Sequence, residues 1–186
     1  MIEAIQRRLA SRQGQDKQGG FTLIELMVVV MIIAILIGIA IPAFLGARGR
    51  AQDTAARSNV RNALSSATAV FSDNQEYFDT GDAVTDGTMV NALVNEEPSL
   101  TFVPEGDPGS TSEKTISVRV ASTNGTTNDT IYLAVLSKSG NCFFVRHVNT
   151  PGIATSGSYQ AKVEGVAANA CDAAAADTPA AGWTIL

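Results

Sequence analysis

The sequence predicts an α+β chain: a long N-terminal helix, half of it membrane-spanning, packed beyond the membrane on an antiparallel sheet of about four strands. Three observations carry this expectation. Residues 26–47 hold no charged side chain. Apolar residues then recur every three or four positions as far as Asn74, the spacing of one helix face. From Thr115 onward the pattern switches to the two-residue alternation of half-buried strands. A length of 186 residues suits one domain with an appended segment.

Charge divides the chain in the same way. Residues 1–20 carry four basic groups (Arg7, Arg8, Arg12, Lys17) and two acids, a net charge of +2, whereas the remainder carries −7. A body this acidic is a poor general binder of nucleic acid, because phosphate affinity needs accumulated Lys and Arg. Only a specialised basic tip on an assembly stays open as a nucleic-acid contact.

The uncharged run from Leu26 to Ala47 covers about 33 Å as a helix, enough for a hydrocarbon core of about 30 Å. A cleaved secretory signal has a shorter apolar core, about 7–15 residues, closed by a small-x-small site. This run is longer and lacks that closure, so a membrane anchor is expected. Basic residues before it place the N-terminus in the cytoplasm, with Arg48 and Arg50 weakening the bias from the far side. Pro42 lies inside the run and cannot donate to the carbonyl of Gly38, four residues back. The pair reads either as an ordinary proline kink or as a segment able to stretch.

Glu25 sits inside the leading edge of the run, five residues after Gly19-Gly20. A buried acid in a bilayer costs about 2.5–3.5 kcal/mol, less near the headgroups. No Lys, Arg or His lies between Lys17 and Arg48 to pair with it. Cleavage between Gly20 and Phe21 would supply one, since the new α-amino group, of reference pKa about 7.7–8.0, would be cationic.

Gly19-Gly20-Phe21-Thr22-Leu23-Ile24-Glu25-Leu26 resembles the prepilin cleavage and methylation motif of type IV pilins and pseudopilins, a likeness that extends to about residue 50 and includes Pro42. The resemblance implies that residues 1–20 are a cytoplasmic leader removed by prepilin peptidase, which cuts after Gly20 and N-methylates Phe21. It implies that residues 21–47 form the transmembrane and filament-core helix, and that 48–186 form the extracellular helix continuation and sheet domain. Glu25 would pair with the Phe21 amine of an adjacent subunit as an assembly platform and its ATPase lift subunits from the membrane into a homopolymer. The leader is longer than those of the IVa group, whereas a mature Phe followed by TLIEL is IVa-like; long-leader pilins of Gram-positive bacteria also fit. The fold implied is the pilin fold.

Beyond the membrane, Ala56, Val60, Leu64, Ala67 and Phe71 make a helical stripe expected to pack on a sheet, with the helix ending near Asn74. Residues 79–113 are loop-like apart from a short helix across Met89–Asn95. Strands are expected around Ile116–Val120, Ile131–Val135, Phe143–Val145 and Tyr159–Val163, one face of the sheet covered. Cys142 and Cys171 are too few for a zinc site, and outside the cytoplasm a disulfide is the natural reading. Joined, they would close a loop of about thirty residues and staple the Ala-rich C-terminus to the sheet. In the family such a bridge bounds a variable surface region, here residues 142–171.

Other motifs carry less. Phe78-Asp79-Thr80-Gly81 matches only the short core of an aspartic protease motif. Asp79, Asp82, Asp86 and Asp107 do not match a calcium-loop spacing and read as solvated loop acids. Asn124 and Asn128 begin glycosylation sequons by pattern alone. His147, the only histidine, stands in a strand with no catalytic set around it. No cofactor, metal or enzymatic activity is expected. The leading function is a structural subunit of a type IV pilus, held in the cytoplasmic membrane before assembly and displayed on the cell surface after it. Its rivals are a pseudopilin or minor pilin of a type II secretion or DNA-uptake system, and an unprocessed membrane-anchored adhesin.

Overall fold

The computed structural model describes residues 20–79, 88–106, 108–122, 128–150, 156–167, 170–177 and 182–186. Contacts divide the chain into two units, residues 1–44 and 45–186. Helix α1 spans Leu23–Asn74, 52 residues, and runs on through Gly38 and Pro42. In the first unit every apolar side chain from Phe21 to Phe44 is exposed. The helix is long and apolar enough to cross a membrane.

The second unit is built on a six-stranded sheet in sequential order: β1 Thr101–Pro104, β2 Thr115–Ala121, β3 Thr130–Leu136, β4 Cys142–Val148, β5 Gly157–Val163 and β6 Thr184–Ile185. β1 pairs parallel to β2 and every later pair is antiparallel. The α+β class is as expected; the strand count is six where about four were expected. β1 escapes alternation because it has four residues and ends on Pro104, and β6 because it has two. Helix α2, Met89–Glu96, starts where Thr88 Oγ1 accepts the Asn91 N–H at 3.3 Å.

Two apolar layers flank the sheet. On one face Ile116, Val118, Ile131, Leu133, Val135, Phe143 and Val145 pack under α1, α2 and Tyr77. The helix buries Ala56, Val60, Ala63, Ala67 and Val70; Leu64 and Phe71, expected in that stripe, are partly buried at its edge. Small residues dominate the contact line, which lets the helix lie close to the sheet. On the opposite face Tyr132, Ala134, Leu136, Cys142, Phe144 and Ala161 are covered by Cys171, Ala173, Ala176 and Trp183 from the C-terminal tail. The expectation of one covered face is therefore corrected. β3 is buried along its whole length, as a strand between two layers must be.

The tail is held by covalent, polar and stacking contacts. Cys142 and Cys171 form a disulfide with Cα atoms 5.6 Å apart. Asp172 accepts the Ser117 hydroxyl at 2.8 Å through one oxygen and the Gly106 N–H at 2.8 Å through the other. The Ser110 N–H donates to the Cys171 carbonyl at 2.7 Å. Register aligns Arg119, Tyr132, Arg146 and Tyr159 in one row across four strands. The Arg146 guanidinium lies 4.6 Å from the Tyr159 ring centre and 5.0 Å from that of Trp183, so it ties the last residues to the sheet.

Candidate functional site

The start of α1 is the site that the sequence singles out. Gly20, Phe21 and Thr22 precede the first helical turn in non-helical conformation, and Phe21 is 87% exposed. Thr22 is the N-cap. Its N–H donates to Glu25 Oε2 at 2.9 Å, its hydroxyl donates to the same oxygen at 2.8 Å, and the Glu25 N–H returns to Thr22 Oγ1 at 3.3 Å. This reciprocal pair is a capping box, which satisfies donors that the helix end leaves unpaired and sets a negative charge where the helix dipole favours one.

Glu25 thus has a local role that the sequence reading missed, although the signal, Thr-x-x-Glu before an apolar run, was legible at Thr22. Both residues are exposed, so the capping carboxylate is open to further partners. It stands four residues after Phe21, which lies one position before the N-cap and outside the helix. Gly38 and Pro42 lie well away, inside the helix. Cys142 and Cys171 belong to the sheet unit and have no part in this end of the chain.

A polar cluster, unforeseen in the sequence, marks the start of the sheet unit. Asp53 on α1 accepts from Asn141 Nδ2 at 2.9 Å and from the Ser139 hydroxyl, and Lys162 stands 4.0 Å away. The β3–β4 turn is thereby clasped to the helix. Burial pushes the Asp53 carboxyl up, but the hydrogen bonds from Ser139, Ser137 and Asn141 and the charge of Lys162 outweigh it, and the net direction is down. Beside it Lys138 bridges Glu113 at 2.5 Å.

The remaining candidates find ordinary settings. His147 Nδ1 and Ser158 Oγ, a cross-strand pair, lie 2.8 Å apart, and burial lowers the pKa of the imidazole. Asp79 accepts from Asn128 Nδ2 at 2.8 Å. Asp82, Asp86, Asp107, Asn124, Thr80, Gly81 and the leader residues 1–19 lie outside the described residues. Among the described residues no group of His, Cys, Asp and Glu could hold a metal ion.

Comparison with known proteins points to the same end of the chain. Residues 15–41 match the prokaryotic N-terminal methylation motif. The chain is 43% identical over 60 residues to the type IV major pilin protein PilA of Myxococcus xanthus, covering 32% of this chain and 27% of that one. It is 45% identical over 58 residues to the type IV wide pilus major component PilA4 of Thermus thermophilus, covering 31% of this chain and 44% of the other. The matched stretches thus span about a quarter and under half of these relatives' lengths. No solved structure matches. Fold and site together define a long-helix α+β protein with a prepilin methylation motif. Its resemblance is to type IV pilins, and the two relatives are major pilus components.

Proposed function

We propose that this chain is a structural subunit of a type IV pilus. Residues 1–20 are a leader removed by prepilin peptidase after Gly20, with N-methylation of Phe21. Residues 21–47 anchor the subunit in the cytoplasmic membrane, N-terminus inside, and later form the filament core; residues 48–186 lie outside. An assembly platform and ATPase supply the work of extraction. Gly38 and Pro42 let the core helix adapt as its surroundings change from lipid to neighbouring helices.

The observation that carries the reading is Glu25. In the uncut chain it caps its own helix through Thr22, within a motif that matches prepilins. After the cut a cationic amine at Phe21 enters its reach, from its own chain or from a neighbour. An acid satisfied this way leaves no uncompensated charge among packed apolar helices, whereas a misplaced subunit would bury one. Docking register is thereby coupled to charge neutralisation.

Glu25→Gln separates the two roles, because glutamine can keep a capping box while removing the charge. The account expects the variant to be inserted and cleaved but absent from filaments sheared off the cell surface. Filaments of Glu25→Gln at the unaltered yield would overturn it.

A further inference from the structure

Beyond the proposed core segment α1 carries Arg48, Arg50, Asp53, Arg57, Arg61 and Asp73, and three of the arginines share one flank, where Asp53 is turned to the β3–β4 turn by Ser139 and Asn141. Arg50, Arg57 and Arg61 are exposed and fall within about 40° of one another around the helix axis at about 100° per residue. Asp73 lies about 24 Å further along the axis from Arg57 and about 160° around it. Glu76 follows in the turn that ends the helix, where Gln75 holds a positive φ of 63°. Arg50, Arg61, Asp73 and Glu76 form no ion pair with a described residue.

The helix gains nothing from this arrangement by itself. Its last turn contains Asp73 and no basic residue, so an acid sits at the negative end of the helix dipole, where it is unfavourable. The basic flank, in turn, borders a cleft. Arg57, Phe143, Gln160, Ala161, Lys162 and Thr184 line a cavity of about 160 Å³ at the edge of the sheet. β5 pairs with β4 along its whole length, and on its outer edge β6 pairs only with Tyr159 and Gln160, so Ala161 and Lys162 border the cavity beyond the end of β6. Lys162 is already engaged by Glu164 at 2.7 Å, and the guanidinium of the exposed Arg57 lies 4.8 Å from the Phe143 ring centre, which keeps its charge at the cleft mouth beside Arg61.

We propose that the Arg50–Arg57–Arg61 flank and its cleft receive the Asp73–Glu76 turn of a second copy of this chain. The two surfaces differ in height and in direction, so one copy cannot satisfy both within itself, and a two-fold pair cannot bring both into one interface. The contact is therefore heterologous, the interface type that propagates into an open helical polymer, and with copies parallel, as the pilus reading has them, it shifts one against the next by roughly 24 Å. The inference rests on the pilus reading above and adds to it the surface that joins the domains outside the membrane.

Charge exchange tests it in the full-length chain. Arg61→Glu alone and Glu76→Arg alone each lower the yield of sheared filaments about tenfold by setting like charges face to face, while processed subunit accumulates in the membrane. The double exchange restores the yield to within about twofold of the unaltered chain. Single variants that assemble normally, or a double exchange without recovery, overturn the proposal. A second readout uses the absence of free cysteines among the described residues. Arg61→Cys with Glu76→Cys gives a ladder of disulfide-linked oligomers in oxidised filaments, and monomers alone from intact filaments contradict the contact. Absence of any filament from the unaltered chain defeats the pilus reading instead, so the two failures are distinguishable.

Discussion

Removing the Cys142–Cys171 disulfide tests how the second sheet face is kept covered. The bridge joins residues 29 apart in sequence, and both cysteines are fully buried. In the chain-entropy account, a closed loop of that length stabilises the folded state by about 3.6 kcal/mol at 25 °C. For a unit of this size, with an unfolding entropy of about 2.1 cal/mol/K per residue, the melting temperature falls by about 12 °C. At a urea slope of about 2 kcal/mol/M the midpoint moves down by roughly 2 M. The assay is urea unfolding of the full chain in mild detergent, oxidised against reduced, with Cys142→Ala/Cys171→Ala as a third sample. The single tryptophan reports locally, since Trp183 stacks on Arg146 and Tyr132 at the end of the strapped tail. Without the bridge, fluorescence should change at lower urea than the far-ultraviolet circular dichroism, as the tail leaves before the sheet unfolds. A loss below about 1 kcal/mol, with both probes still coincident, would refute the reasoning, because the polar contacts of Asp172 and Ser110 would then suffice to hold the tail.

Three further expectations concern single positions. Gly109→Ala costs about 2–3 kcal/mol in denaturation experiments, because the residue holds φ +69° and a Cβ there would stand 2.9 Å from the Cys171 carbonyl oxygen. Asp53→Asn costs about 1 kcal/mol at pH 7 by loosening the β3–β4 turn. Since the folded pKa of Asp53 is lowered, its contribution is present above the unfolded value near 3.8 and is lost as pH falls below it and through the folded value, so the stability difference between unaltered chain and variant shrinks over that acid range. His147 has the same sign for a different reason: its folded pKa lies below 6.5, so protonation opposes folding and stability declines as pH falls from about 7 toward the folded value. His147→Gln flattens that decline in unfolding curves between pH 8 and pH 5.

The residues explain which parts of this molecule were legible in advance. The helix end near Asn74, the short helix at Met89 and the four central strands follow from periodicity, which records burial on one face. β1 and β6 are too short for any period to register. The second covered face was hidden for another reason. A layer of Ala173, Ala176 and Cys171 without a regular repeat does not differ in sequence from a solvated Ala-rich tail, and only the disulfide hints that it is anchored. At the helix start the motif around Glu25 was plain because several chemically unrelated requirements coincide there. The reciprocal bonds of Thr22 were less legible, because a lone acid in an apolar run points to a cation and an uncharged neighbour three residues away carries no such signal. The Asp53 clasp joins residues more than eighty positions apart, and sequence distance alone gives no sign of it.

The central claim is that the chain is cut after Gly20, methylated and polymerised. Intact mass and N-terminal sequencing of the protein in the sheared cell-surface fraction of its host address all three together. The account predicts an abundant chain beginning at Phe21 and carrying one added methyl group. A chain that retains residues 1–20 and is found only in membranes would contradict it and leave an anchored adhesin in its place.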